Sequence, residues 1–351
     1  MKNPVSPYDH SAARAERWAL RSVVARLLPF SPTASCSLTK NPGIRGVAVF
    51  RSQRHQRAFV SGVYRCASVW CCPICSAKIS ERRRVRIQTA CDEWQSQACP
   101  VFLFTGTFPH GLGDDLPAIL SALLSAWRKT TDTRQGRAAR LKSGILGTVR
   151  SVEITYGRNG WHPHIHALLF MQPNSPPPYD VELILREIWQ NSCIAVGLPM
   201  PSDDHGLRID SGDMAGSYLS KSNHWGKSSE VVRSYIKSSR VDSITPWDML
   251  RLVFSPYINS RESRKYEQLF IDYARAFQGK RQLFASKFIS QFIAMASDAA
   301  LANDSEDKAD LLAEITERQW KILYERDLQP YVLNLAESNP AAMSDFLHSL
   351  T

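Results

Sequence analysis

Ser151–Met171 reads SVEITYGRNGWHPHIHALLFM, and no other stretch decides as much about this chain. On a strand, side chains i and i+2 share a face, so His164 and His166 present two imidazoles on one side, able to hold one divalent ion. The preceding VRSVEITYG also has the pattern of a strand, and GRNG between the two runs is turn chemistry. A hairpin centred between Arg158 and Asn159 sets Glu153 opposite His164. A carboxylate then joins two imidazoles on one face, leaving coordination positions for a phosphate and water. His162, two residues further back on that face, is placed as a ligand or as a group behind the ligands. Histidines on the polar side of a half-exposed strand would be the plainer reading, but three of them opposite a glutamate fit it poorly.

Outward from this hairpin, strand-like and helix-like segments alternate. VFLFTGTF (101–108) reads as a strand, LPAILSALLSAWRKTT (116–131) as a helix, and DVELILREIWQNSCIAVG (180–197) as another helix after the breaker QPNSPPPYD. Residues 11–29 have amphipathic helical spacing at Trp18, Val23, Val24, Leu27 and Leu28. Residues 261–351 look mostly helical, and no repeat of 20–50 residues is present. The expected organisation is a helical segment over 1–35, a basic metal-binding module over 36–95, a catalytic domain over 100–258 and a helical region over 260–351.

Within 36–95, Cys72-Pro73-Ile74-Cys75 is a knuckle whose spacing lets two thiolates meet one metal. Cys66 and Cys36 complete a tetrahedral set for a structural Zn²⁺, with His55 as the rival to Cys36 and Cys71 as a competitor of Cys72. A disulfide framework fits less well, because nothing indicates an oxidising compartment. Cys91, Cys99 and Cys193 read as ordinary core cysteines.

Charge is placed unevenly along the 351 residues. The net charge is +10, yet residues 1–90 alone carry 16 Lys/Arg against 3 Asp/Glu, while 301–351 hold 10 acidic and 4 basic residues. A basic segment suits a polyanion, since each phosphate contact releases condensed counterions, and Arg82, Arg83, Arg84 and Arg86 are the candidate DNA contacts. Hydrophobic residues at 44% and charged residues at 22% exclude wholesale disorder. No apolar run approaches the roughly 20 residues that cross a bilayer, and the N-terminus has no secretory pattern, so no membrane partner is expected and the expected location is the bacterial cytoplasm.

Downstream, Tyr218 and Lys221 in SYLSKSNHW stand one helical turn apart. A tyrosine hydroxyl has a pKa near 10, so a neighbouring ammonium or metal would help form a phenolate nucleophile. Such a pair carries meaning only beside the histidine strand.

Taken together, H-hydrophobe-H followed by Y-x-x-K resembles the HUH endonucleases, specifically the single-tyrosine Rep proteins that initiate rolling-circle replication of small plasmids. CASVWCCPICSAKISERR looks like the cysteine segment before the nuclease core of many bacterial members. LFTGTFPHG, EITYGRNGWHPHIHALLF and SYLSKSNHW resemble their three core motifs, and EVVR through TPWDML a further family stretch. The likeness covers roughly residues 36–252, about 60% of the chain.

The resemblance implies an α+β fold with a central five-stranded antiparallel sheet of ferredoxin-like or palm type, flanked by helices, with the histidines on a central strand. It implies Mg²⁺ or Mn²⁺ held by His164, His166 and Glu153, with Tyr218 attacking the scissile phosphate in line. The products would be a 5′-phosphotyrosine link and a free 3′-OH primer, with Lys221 stabilising the phenolate or the leaving charge. The implied partners are origin DNA, single-stranded at the nick with duplex flanks, and the host polymerase. No Walker A pattern is present, so strand separation falls to a host helicase or to supercoiling.

Some members carry a glutamate four residues before the tyrosine; here that position is Met214, beside Asp213, which puts water-driven termination in question. Tyr235 and Tyr8 are the competing tyrosines, the latter matching a relaxase arrangement. The competing functions are a single-strand transposase or relaxase, a hydrolytic nuclease, and a non-catalytic zinc-containing DNA-binding regulator.

Overall fold

The computed structural model describes residues 7–44, 46–211, 243–302 and 308–350. In chain order the elements are α1 (Pro7–Leu27), β1 (Val47–Ser52), β2 (Ala58–Ser61), α2 (Pro73–Ser96), β3 (Val101–Gly106), α3 (Leu116–Asp132) and α4 (Arg134–Ser143). They continue with β4 (Ile145–Gly157), β5 (Gly160–Met171), α5 (Pro178–Ile194), β6 (Leu207–Ser211), β7 (Ser243–Ile244), α6 (Pro246–Val253) and α7 (Ser260–Phe277). The last are β8 (Leu283–Ala285), α8 (Lys287–Ala302), β9 (Ala309–Ile315), α9 (Glu317–Glu325), α10 (Gln329–Ser338) and α11 (Pro340–His348). This is a mixed α+β chain with antiparallel sheets, and it divides into two compact units, one holding residues 80–211 and 243–301, the other 7–79 and 302–350.

The central unit is built on a sheet of order β6-β3-β5-β4-β7, with β8 as a sixth strand beside β4. Every pairing in it is antiparallel. The long hairpin β4–β5 turns at Arg158 and Asn159, and Gly160 takes the left-handed φ of 82° of the residue that follows a turn in a bulged hairpin. One face of the sheet carries Phe102, Phe104, Ile165, Ala167, Leu169 and Met171 against α3, α4 and α5, with Trp127, Leu185 and Trp189 filling the layer. α3 starts where it does because the Asp115 carboxylate accepts from the Ala118 amide at 3.0 Å and a proline follows in the first turn.

The opposite face carries Leu103, Val149, Leu168 and Phe170, covered by Ile87, Ala90 and Trp94 of α2 and by Ile289 and Ile293 of α8. The even-numbered residues of β5 thus change from apolar to imidazole on moving from Phe170 toward the turn. The helices seal the apolar part, and the histidines lie on the same face beyond it.

The other unit pairs β2-β1-β9, with β9 antiparallel to β1 (Val47 opposite Ile315). Its core joins Trp18, Val47, Val49, Val60 and three of the cysteines to Ile315, Trp320, Leu323, Val332, Leu333 and Met343. The expected helical stretch after residue 260 therefore includes two strands, β8 and β9. ADLLAEI has the composition of a helix, and it is pairing with β1, not propensity, that makes it extended. Acidic and basic segments meet here: Lys40 Nζ lies 2.9 Å from Glu317, Arg57 lies 3.3 Å from Glu337, and Arg14 pairs with Glu337 as well. Among the described residues, no helix is long and apolar enough to cross a membrane.

Candidate active site

Because the hairpin closes at Arg158-Asn159, its register sets Glu153 opposite His164, Ser151 opposite His166 and Thr155 opposite His162, all on one face. The Glu153 Oε2 atom lies 3.5 Å from His164 Nε2 and 3.6 Å from His166 Nε2. One ligand atom from each of the three residues falls within 4.8 Å of the others, so this group could hold a metal ion. The imidazoles are 12–13% exposed and the carboxylate 22%, which leaves the group reachable from solvent while its sides are walled.

Hydrogen bonding fixes which nitrogen of each ring is available. His164 Nδ1 lies 3.4 Å from the carbonyl of His162, which can only accept, so Nδ1 is the donor and Nε2 is the nitrogen that faces Glu153. His166 Nδ1 is 3.0 Å from Thr105 Oγ1, a hydrogen bond that orients the ring from behind. Both rings are thus held from behind with their outer nitrogens converging on the carboxylate.

His162 is held differently. His110 Nδ1 donates to the Asn159 carbonyl at 3.0 Å, and its Nε2 shares a 2.6 Å hydrogen bond with His162 Nδ1. Burial, followed by the neighbouring His164 and His110, pushes the His162 pKa down to about 4, so this ring stays neutral. It does not belong to the group that meets within 4.8 Å, and its place is behind the convergent set. Thr105 and His110 are the two residues that sequence reasoning did not single out. Thr105 carried a signal, a polar side chain in the apolar run VFLFTG at the register position of His166.

In the other unit, Cys36, Cys66, Cys72 and Cys75 come together at one point. Sulfur separations are 3.5 Å for Cys36–Cys75, 3.6 Å for Cys36–Cys72 and 3.8 Å for Cys66–Cys75. A tetrahedron with metal–sulfur bonds of about 2.3 Å has edges of about 3.8 Å, so the donor set fits a four-coordinate ion. Backbone amides of Cys66, Ser68 and Cys75 point at the sulfurs of Cys36, Cys66 and Cys72 at 3.4–3.5 Å, which favours thiolates. Hydrogen bonds from Cys66, then Cys72 and Cys75, pull the Cys36 thiol far down, while that same Cys36 sulfur pushes Cys72 and Cys75 up. Four adjacent sulfurs cannot all carry negative charge unaided, and a cation among them removes that conflict. His55 is exposed and outside the cluster, and burial raises the Cys71 thiol to about 12. All eight cysteines are free of disulfides, with Cys91 and Cys193 buried and Cys99 partly exposed.

The four arginines of α2 do not behave alike. Arg82 and Arg86 are exposed, Arg84 is forked onto Glu81 at 2.7 and 2.9 Å, and Arg83 is half-buried against Gln282. Tyr218, Lys221, Met214, Asp213 and Tyr235 lie outside the described residues, and Tyr8 falls in α1.

Comparison with known proteins bears on this arrangement. Residues 58–191 match the family described as Replication protein, a span that includes Cys66, Cys72, Cys75, Glu153, His162, His164 and His166. Over that span the chain is similar to the replication proteins. A "Protein rep" from Streptomyces lividans is 25% identical over 368 residues, covering 82% of this chain and 79% of its own length. A "Protein rep" from Streptococcus pneumoniae serotype 2 (strain D39) is 31% identical over 122 residues, covering 34% of this chain and 37% of its own. A "Neomycin resistance protein" from Streptomyces cyanogenus is 28% identical over 141 residues, 32% of each chain. No solved structure matches the chain significantly. The likeness supports a part in replication.

Proposed function

We propose that this protein initiates rolling-circle replication by nicking and rejoining single-stranded origin DNA through Tyr218, in the manner of the HUH endonucleases. The observation that carries the reading is the convergence of His164 Nε2 and His166 Nε2 on Glu153, each ring oriented from behind. His164, His166 and Glu153 would hold a divalent ion, Mg²⁺ or Mn²⁺, which would supply Lewis-acid polarisation of the scissile phosphate. His162, kept neutral and bonded to His110, holds the turn end of the strand and adds no competing charge.

The chemistry then belongs to the tyrosine. The Tyr218 oxygen gives up its proton and bonds to phosphorus as the bond to the 3′ oxygen breaks; that oxygen takes up a proton and leaves as the 3′-OH primer for the host polymerase. Lys221 offsets the charge on the phenolate. The energy of the phosphodiester is kept in the tyrosyl ester, so reversal joins ends when a round finishes. Zn²⁺ at Cys36, Cys66, Cys72 and Cys75 is structural, since four protein ligands leave no open position.

Incubating the protein with a labelled single-stranded origin oligonucleotide and Mn²⁺ should give a covalent adduct that survives denaturing electrophoresis. Tyr218→Phe should abolish it while calorimetric Mn²⁺ binding persists. A full-yield adduct in that variant, mapped to Tyr235 or Tyr8, overturns the assignment; cleavage without any adduct points instead to a hydrolytic nuclease.

A further inference from the structure

Ser80, Arg83, Arg84 and Ile87 lie at i, i+3, i+4 and i+7 on one face of α2, and together with Ser151, Gln282 and Leu283 they line a narrow cleft. Ser151 belongs to the face of β4 that bears Glu153, two residues away, and stands opposite His166. The cleft therefore opens beside the metal-binding set, about 6.6 Å along the strand from the carboxylate position.

Its charge is not evenly satisfied. Arg84 is neutralised by the Glu81 fork. Arg83 donates through Nη1 to the Gln282 side-chain oxygen at 3.0 Å, a neutral partner, and among the described residues no carboxylate pairs with it. Gln282 is itself fixed, because its carbonyl accepts from the Val152 amide at 3.0 Å as β8 joins β4. A half-buried guanidinium held by an amide and facing serine hydroxyls is short of an anion, and a bidentate phosphate matches its fork. Burial also holds its pKa below the ordinary arginine value, the mark of a charge lacking its counterpart.

A strand with one phosphate at Glu153, His164 and His166 must bring the neighbouring phosphate along the same face. We infer that Arg83, with Gln282 and Ser151, receives the phosphate next to the one that is cleaved and so sets the register of the DNA strand in the site. This rests on the nicking reading above and adds to it which backbone position is gripped, and by what.

Single-stranded origin oligonucleotides carrying one uncharged methylphosphonate linkage at successive positions provide the test, with wild type and Arg83→Gln compared for dissociation constant and adduct rate. Wild type should lose about tenfold in affinity at one linkage adjacent to the cleaved one, the worth of a charge-assisted hydrogen bond. Arg83→Gln should bind the unmodified strand about tenfold more weakly, lose the penalty at that linkage alone, and lower the salt slope by about 0.7. Arg137→Gln, altering an exposed side chain of α4 on the other side of the sheet, should leave the linkage pattern unchanged. If Arg83→Gln keeps every wild-type penalty, or loses one remote from the cleaved linkage, the inference is wrong. Absence of a wild-type adduct on the unmodified strand overturns the nicking reading, whereas an adduct with no Arg83-dependent linkage overturns only this one.

Discussion

Thr105→Val isolates the support behind a candidate metal ligand, His166, from the ligand itself. Its hydroxyl lies 3.0 Å from His166 Nδ1, on a ring only 12% exposed, so water cannot replace it freely. Valine keeps the shape and suits the β3 backbone, and a neutral hydrogen bond contributes about 0.5–1.5 kcal/mol, so the fold should persist. What should change is the ring: without the Thr105 hydroxyl at Nδ1, His166 loses the hydrogen bond that orients it from behind. Loss of such an orienting partner typically costs about 10–100-fold in metal affinity, or about 1.4–2.7 kcal/mol. Calorimetric titration of Mn²⁺ reads this directly, and the adduct rate at subsaturating Mn²⁺ should fall in step and recover as Mn²⁺ is raised. His166→Ala should not recover. Mn²⁺ affinity equal to wild type in Thr105→Val would refute the orienting role.

Two further outcomes test the other unit. Native mass spectrometry should find one zinc per chain, and chelation or Cys75→Ser should expose residues 36–75 to protease, because metal binding and folding are coupled in such clusters; a protease-resistant, metal-free protein would show that the cysteines pack as thiols. Glu337→Ala should lower stability in urea by about 3 kcal/mol, since it strips the buried Arg14, along with Arg57 and the Ala58 amide, of their carboxylate. A loss under about 1 kcal/mol would mean that the pairs are screened like surface ones.

The hairpin was legible because turn chemistry fixes register and a period of two fixes faces, so Glu153 could be set opposite His164 from spacing alone. The cysteine group was legible for a related reason: knuckle spacing is local, and only Cys36 needed a partner chosen at long range. Thr105 and His110 were not singled out, because β3 reaches β5 through a pairing that no local pattern announces. β9 was hidden by helix-forming residues whose conformation is decided by β1, more than 250 positions earlier. Charge totals misled in a similar way: part of the positive segment is already answered by Glu317 and Glu337 within its own unit.

That pairing of β9 with β1 also dictates an order of events during synthesis. β1, β2 and the four cysteines leave the ribosome first, yet the third strand of their sheet and the C-terminal helices over their core come only after the unit that holds Glu153 and the histidines has been made. For that interval the nascent first segment holds an unpaired strand edge and uncovered apolar side chains, and metal capture is the local event that can tether it early. A ribosome that stops after residue 301 would release a chain whose sheet of Glu153 and the histidines has all its strands, while the segment around the cysteines still lacks its closing strand.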